Sequence, residues 1–207
     1  MPSKLRYLSI LDYEATCGEE GKFPRDQMEI TEFPTIVYDL QAEKEVGRFH
    51  EYVRPVIRPQ LTEFCVKLTG ITQAKVDNAE PFLPVWDRFK GFLKSQNLWD
   101  DPSSYAFVTC GEWDFHTMLP RQLSHINSTN PSASSDDRLL VTHFQQRLIS
   151  IDVAFKGYYG SKADEIKPML GELGMDFVGR LHSGIDDCEN ILRIVKRMMD
   201  DGWVPEV

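Results

Sequence analysis

The sequence predicts a three-layer domain, α/β or α+β, built on a mixed sheet, and three observations predict it. Three short apolar runs follow one another near the N-terminus, a stretch with helical apolar spacing comes after Pro59, and one isolated strand-like run precedes further helical segments. Strands followed by helices, with a further strand between them, call for helices packed against a sheet. The early runs are Leu5 to Tyr13, Thr35 to Leu40 and Gly47 to Val53, rich in Ile, Val, Tyr and Phe. Charged or Gly-containing turns such as QAEKEVG separate them, so they read as an antiparallel meander. From Phe82 the period changes: Phe82, Val85, Trp86, Phe89, Phe92 and Leu93 recur at three- and four-residue spacing, giving a helix one buried face. Tyr105 to Thr109 is the lone later strand, and NSTNPSASSDD, Asn127 to Asp137, is polar and aperiodic and reads as a surface loop. The clearest helix comes last, where Cys188, Ile191, Leu192, Val195, Met198 and Met199 form an apolar stripe that Gly202 stops.

At 207 residues, 42% hydrophobic and 27% charged, the chain has room for a full core and reads as one domain, 1–207. A formal net charge of −9 removes any general attraction for nucleic acid, so a polyanionic partner must be met by a local site. Four cysteines, Cys17, Cys65, Cys110 and Cys188, form no C-x-x-C pair and have no His at finger spacing, which argues against a zinc module or a disulfide framework. The uncharged run Tyr7 to Leu11 is too short for a signal-peptide core, and no later segment approaches a membrane span. The expectation is an intracellular protein, cytoplasmic or nuclear, with no membrane partner.

Three acidic features stand out from this background. In LDYE, Asp12 and Glu14 are two apart at the end of an apolar strand, so both project to one face, where they repel unless a cation or a proton joins them. Spacing alone is weak: 32 acidic residues in 207 produce such pairs by chance about five times. Location at the C-terminal end of a buried strand, where sheet proteins place binding sites, carries more weight. Asp114, in VTCGEWDF, follows the lone strand across a Gly turn, where a helix-start acid would also suit the macrodipole. In RLHSGIDDCENI, Ser183 and Asp186 fit a capping box, yet Asp187 lies one turn before Ile191 on the buried stripe, where a carboxylate needs a partner. One hypothesis covers all three: Asp12, Glu14, Asp114 and Asp187 converge on divalent metal, with His182 as a nearby proton acceptor. Hard oxygen ligands select Mg²⁺ or Mn²⁺, and four carboxylates suit two ions about 3.5 to 4 Å apart spanned by a phosphate. That geometry means phosphodiester hydrolysis.

LDYEATC, ITEFPTIV, LTEFCVKLTGIT, VTCGEWD and HSGIDDCENI, in this order and spacing, resemble the Eri-type 3′-to-5′ exonucleases of the DEDDh superfamily, the group that includes the histone mRNA 3′ exonuclease. VTCGEWDFHTMLP and HSGIDDC look most like its prion-protein-interacting exonuclease branch. The resemblance runs from about Tyr7 to Trp203 and implies an RNase H-like fold, a mixed five-stranded sheet flanked by helices. It implies two Mg²⁺ or Mn²⁺ ions held by Asp12, Glu14, Asp114 and Asp187, Glu14 and His182 as catalytic groups with His182 the general base, and Asp186 in the cap role. It also implies that Phe64, Leu68, Ile71 and Trp113 frame the terminal nucleotide, with Ala15 and Thr16 offering backbone contacts; spacing alone equally suits a buried helix face for Phe64 and Leu68. The implied activity is removal of nucleoside 5′-monophosphates from the 3′ end of single-stranded RNA or short overhangs. Action on DNA, or on both, would use the same residues. A weakly active RNA- or protein-binding module would lack a carboxylate, and none is missing. With no basic stretch before the motifs and an acidic chain, tight binding of a structured stem-loop is not expected, and a recruiting protein is left unidentified.

Overall fold

The computed structural model describes residues 5–96, 98–99, 101–129 and 135–207. Among them the strands are β1 (Tyr7–Leu11), β2 (Glu14–Ala15), β3 (Ile30–Asp39), β4 (Lys44–Tyr52), β5 (Tyr105–Thr109) and β6 (Leu148–Ser150). The helices are α1 (Glu63–Thr69), α2 (Gln73–Asp77), α3 (Phe82–Ser95), α4 (Leu119–Thr129), α5 (Ser135–Gln146), α6 (Ile151–Tyr159), α7 (Ile166–Glu172) and α8 (Gly184–Asp200).

Alternation along the central strands decides the layering, because successive side chains leave opposite faces of a pleated sheet. Leu11, Phe33, Val37, Tyr105 and Phe107 go to one apolar cluster; Leu8, Ile10, Ile36, Tyr38, Ala106 and Val108 go to the other. A sheet apolar on both faces must be covered on both. The first face is closed by Phe82, Val85, Trp86, Phe89 and Leu93 of α3 with Leu123 of α4 and Phe144 of α5; the second by α6, α7 and α8 through Phe155, Met169, Ile191 and Val195. The stripes read from the sequence on α3 and α8 therefore face opposite sides of one sheet. Among the described residues no helix is long and apolar enough to cross a membrane.

Across the sheet the order is β4, β3, β1, β5, β6, with β3 antiparallel to β1 and β4, and β5 parallel to β1 and β6. The expected antiparallel meander and mixed sheet are both present. Six strands occupy five positions, because β2 extends the β1 lane: Leu11 pairs with Thr35, and Glu14 with Glu32. Between those paired stretches Asp12 leaves the ladder, and Pro34, which has no N–H to give, falls in the same gap.

Three readings are corrected. The second strand-like run is longer than Thr35 to Leu40: β3 begins at Ile30, through a Glu and a Pro that look like loop residues in isolation. β6, only three residues long, sits where the sequence reads as helix. Helix also enters both ends of the NSTNPSASSDD loop, and buried Asp137 on α5 accepts a hydrogen bond from Trp86 Nε1 (2.8 Å); residues 130–134 lie outside the described set.

Candidate active site

Parity places the first two acids. Asp12 and Glu14 continue the even-numbered face of β1, the face of Leu8 and Ile10, and so turn toward α8. Gly111, at φ +87°, turns the chain out of β5 in a conformation that favours glycine. The π-helical turn Asp114–Met118 follows, and Asp114 Oδ1 accepts the Tyr13 N–H at 2.8 Å, tying the second acidic segment to the gap between β1 and β2.

Asp187 arrives with the first turn of α8. Its Oδ2 accepts the His182 N–H at 2.9 Å, while its Oδ1 is buried with no hydrogen-bond partner. His182 itself has φ +63°, a left-handed conformation that costs a non-glycine residue roughly 1–3 kcal/mol and persists only where surrounding bonds enforce it. The expected Ser183–Asp186 capping box is absent: Ser183 makes no side-chain cap, and Asp186 Oδ2 instead accepts the Arg180 N–H (2.8 Å) in the preceding turn. Glu32 of β3, 1% exposed, does the capping, accepting from Gly184 N–H at 3.0 Å and Ile185 N–H at 3.3 Å. The sequence reading missed Glu32; the available signal was an acid standing inside the apolar run ITEFPTIV.

Gly184 allows this approach. A Cβ there would lie 2.5 Å from the Asp12 carbonyl oxygen and 2.9 Å from Pro34 Cγ. Gly184→Ala should therefore push α8 away from β1, lowering unfolding free energy by about 1–3 kcal/mol in a denaturant titration and weakening any function that needs Asp12 and Asp187 together. An unchanged midpoint would show that the contact is slack.

Among the described residues Asp12, Glu14, Asp114 and Asp187 form no ion pair, and Lys167 nearby offsets the upward shift of Asp187 only in part. Burial above all, then Asp114, Asp187, Glu14 and Glu32, holds the Asp12 pKa well above the ordinary carboxylate range. Burial, then Asp187, Glu32 and Asp114, pushes Glu14 up to about 9. Burial likewise raises Asp114 to about 7 against the pull of its backbone hydrogen bonds, and Asp187 to about 7 against the His182 N–H. His182 shifts the other way: partial burial, with Lys167 and Arg180 nearby, lowers its pKa against the influence of Glu165. Such a set is stable only with added protons or with a multivalent cation.

A cleft of about 350 Å³ opens onto the cluster, with Asp12, Cys110, Lys167, Leu181, His182 and Asp187 in its wall. Glu14, His182 and Asp187 each offer a ligand atom, and these lie within 4.8 Å of one another. Buried oxygen donors, one of them orphaned, fit a hard divalent cation, and the cleft opens onto them. The structure thus brings Asp12, Glu14, Asp114, Asp187 and His182 to one place.

The residues expected around a nucleotide divide. Trp113 is 37% and Phe64 41% exposed, so each presents an open ring, and Leu68 is half-buried. Ile71, 2% exposed, packs with Leu61, Cys65 and Val76 and offers almost no surface for a base, a correction to its expected role. Ala15 and Thr16 are buried, and the Thr16 N–H is already given to the Glu29 carbonyl at 2.8 Å, so that amide is not free for substrate.

The exonuclease family model RNase_T matches residues 9–195. Over 204 residues the chain is 34% identical to ERI1 exoribonuclease 3 of Homo sapiens, covering 98% of this chain and 56% of that protein. Over 198 residues it is 37% identical to 3′-5′ exoribonuclease 1 of Homo sapiens, covering 95% of this chain and 53% of that protein. The chain spans about half the length of these relatives. Among solved structures it matches the nuclease domain of 3′hExo, a DEDDh family member, bound to rAMP, with TM-score 0.83 and 34% identity over 100% of this chain and 99% of that one.

Proposed function

The chain belongs to the RNase_T exonuclease family and, within it, to the DEDDh exonucleases, whose RNase H-like fold it shares, and from that premise we propose that residues 1–207 form a metal-dependent 3′-to-5′ exoribonuclease domain. It shortens single-stranded RNA or 3′ overhangs and releases nucleoside 5′-monophosphates. One observation carries this reading: four buried or half-buried carboxylates from three segments meet and, among the described residues, form no ion pair, beside an accessible histidine and an open cleft.

Asp12, Glu14, Asp114 and Asp187 would hold two Mg²⁺ or Mn²⁺ ions. Bound there, the metal supplies Lewis acidity that lowers the pKa of water and offsets charge on the scissile phosphate. His182, whose depressed pKa keeps the imidazole neutral near pH 7, accepts the proton of the attacking water. Lys167, in the wall of this cleft, would meet a phosphate oxygen. Trp113 and Phe64 offer exposed rings on which a terminal base stacks without regard to sequence. Those contacts explain how a chain of net charge −9 still binds a polyanion, at a local site rather than through its overall field.

Matched 5′-labelled RNA and DNA strands, single-stranded or with 3′ overhangs, test the proposal in Mg²⁺ or Mn²⁺ and again in EDTA. A ladder that shrinks from the 3′ end, faster on RNA and abolished by EDTA, is the expected result. Internal cuts would overturn the exonuclease assignment, and equal or faster loss of DNA would overturn the RNA preference.

A further inference from the structure

We propose that Glu32 is a positioning residue for this site, one that acts through α8 by holding Asp187 and the His182 turn against Asp12; the inference rests on the exonuclease reading above. Glu32 lies on β3 at the pair position of Glu14, on the same side of the sheet as α8. Its two carboxylate oxygens are fully engaged: Oε2 accepts Gly184 N–H at 3.0 Å, and Oε1 accepts Ile185 N–H at 3.3 Å and meets His50 Nε2 at 2.8 Å. These bonds join residues 152 and 153 positions apart in the chain.

What they fix is more than a helix end. His182 is held in a left-handed conformation inside a turn closed by the Ser183 N–H to Arg180 carbonyl bond (3.1 Å); its own N–H goes to Asp187 Oδ2, and the Glu32 clamp anchors the chain two residues further on. Ser183 makes no side-chain cap, so Glu32 meets the first two helical amides with no help from that position. Gly184 sits against the Asp12 carbonyl, so the amide that Glu32 grips belongs to the residue where α8 touches β1. Release of the clamp lets the His182 turn relax to an ordinary backbone and carries Asp187 with it. Glu32 also presses its charge on Asp12, Glu14 and Asp187, which strengthens the demand of the site for a cation without itself joining the cleft wall.

Glu32→Gln and Glu32→Ala, made in the full chain, test the idea with three readouts. The first is hydrogen exchange of the His182, Gly184, Ile185 and Asp187 amides in EDTA, with thermal melting to establish folding. Faster exchange confined to these amides, larger in Glu32→Ala than in Glu32→Gln, is expected. The second is Mn²⁺ affinity by calorimetry, expected to fall roughly 10- to 100-fold, as for other groups that orient metal ligands. The third is kcat on a 5′-labelled RNA, expected to fall in the same range while KM stays within about twofold. A variant that melts lower yet keeps wild-type exchange at His182 and Asp187, Mn²⁺ affinity and kcat would make Glu32 merely structural and overturn the proposal. Were the wild type to bind no Mn²⁺ and degrade no RNA, the exonuclease reading would fall on its own evidence, while the exchange data would still decide whether Glu32 holds the turn.

Discussion

Asp12→Asn gives a protein that folds, melts higher than the wild type in EDTA at pH 8, and degrades RNA more than about 100-fold more slowly. The rate effect follows from position: loss of a group that merely orients a metal ligand costs roughly 10- to 100-fold, and Asp12 sits at the centre of the cluster, so its loss exceeds that range. The stability effect has the opposite sign for the same reason. Burial, Asp114, Asp187, Glu14 and Glu32 all disfavour the Asp12 charge in the folded state, so a neutral isostere relieves a cost that the metal-free protein carries at pH 8. A gain in melting temperature together with loss of turnover separates a metal ligand from a structural acid, whose removal would lower both. Full activity in this variant would remove the site.

His182→Ala loses about 10²- to 10⁴-fold in kcat, the range a positioned general base supplies, while Mn²⁺ affinity stays near that of the wild type. The side chain is exposed, and what fixes the residue is its backbone, through the 2.9 Å bond to Asp187 Oδ2 and the positive φ. Truncation at Cβ leaves that backbone arrangement in place, so the carboxylates keep their relation to one another. Because a ring nitrogen of His182 lies within 4.8 Å of Glu14 and Asp187 ligand atoms, a ligand role is the competing account. A fall in Mn²⁺ affinity comparable to that of Asp187→Ala would establish it and displace the base assignment.

How far the residues announce this site depends on the range over which each acts. The α3 and α8 stripes and the β5 strand are local patterns of period 3.6 or 2, and they survive into the structure with small shifts of boundary. Asp12, Glu14, Asp114 and Asp187 were readable because each breaks an apolar pattern, and a break that costs free energy needs a cause. The capping box misled because Ser183-x-x-Asp186 has the correct spacing, while a residue some 150 positions away, Glu32, takes the amides first. No local pattern carries that information. Pro34 and Glu32 likewise look like loop residues until Asp12 leaves the ladder in the same gap, where a missing N–H costs nothing. Ile71 was indistinguishable from Phe64 by composition; only the folded chain shows that one is buried and the other 41% exposed.

The melting temperature of EDTA-treated protein from about pH 5 to pH 9, with and without saturating Mn²⁺, tests the central claim most directly. Glu14 rises from 4.5 to about 9, and Asp114 and Asp187 from 3.8 to about 7. An acid whose folded-state pKa is raised stabilises the fold below its unfolded pKa, and that contribution is lost as pH climbs through the folded value. Metal-free protein should therefore lose stability steadily from about pH 5 to pH 9. Mn²⁺ takes the place of the protons, so its stabilising shift should grow across the same interval. A metal-free melting temperature that stays flat or rises to pH 9, with no Mn²⁺ shift at any pH, would contradict the claim that these carboxylates are gathered to hold a divalent cation.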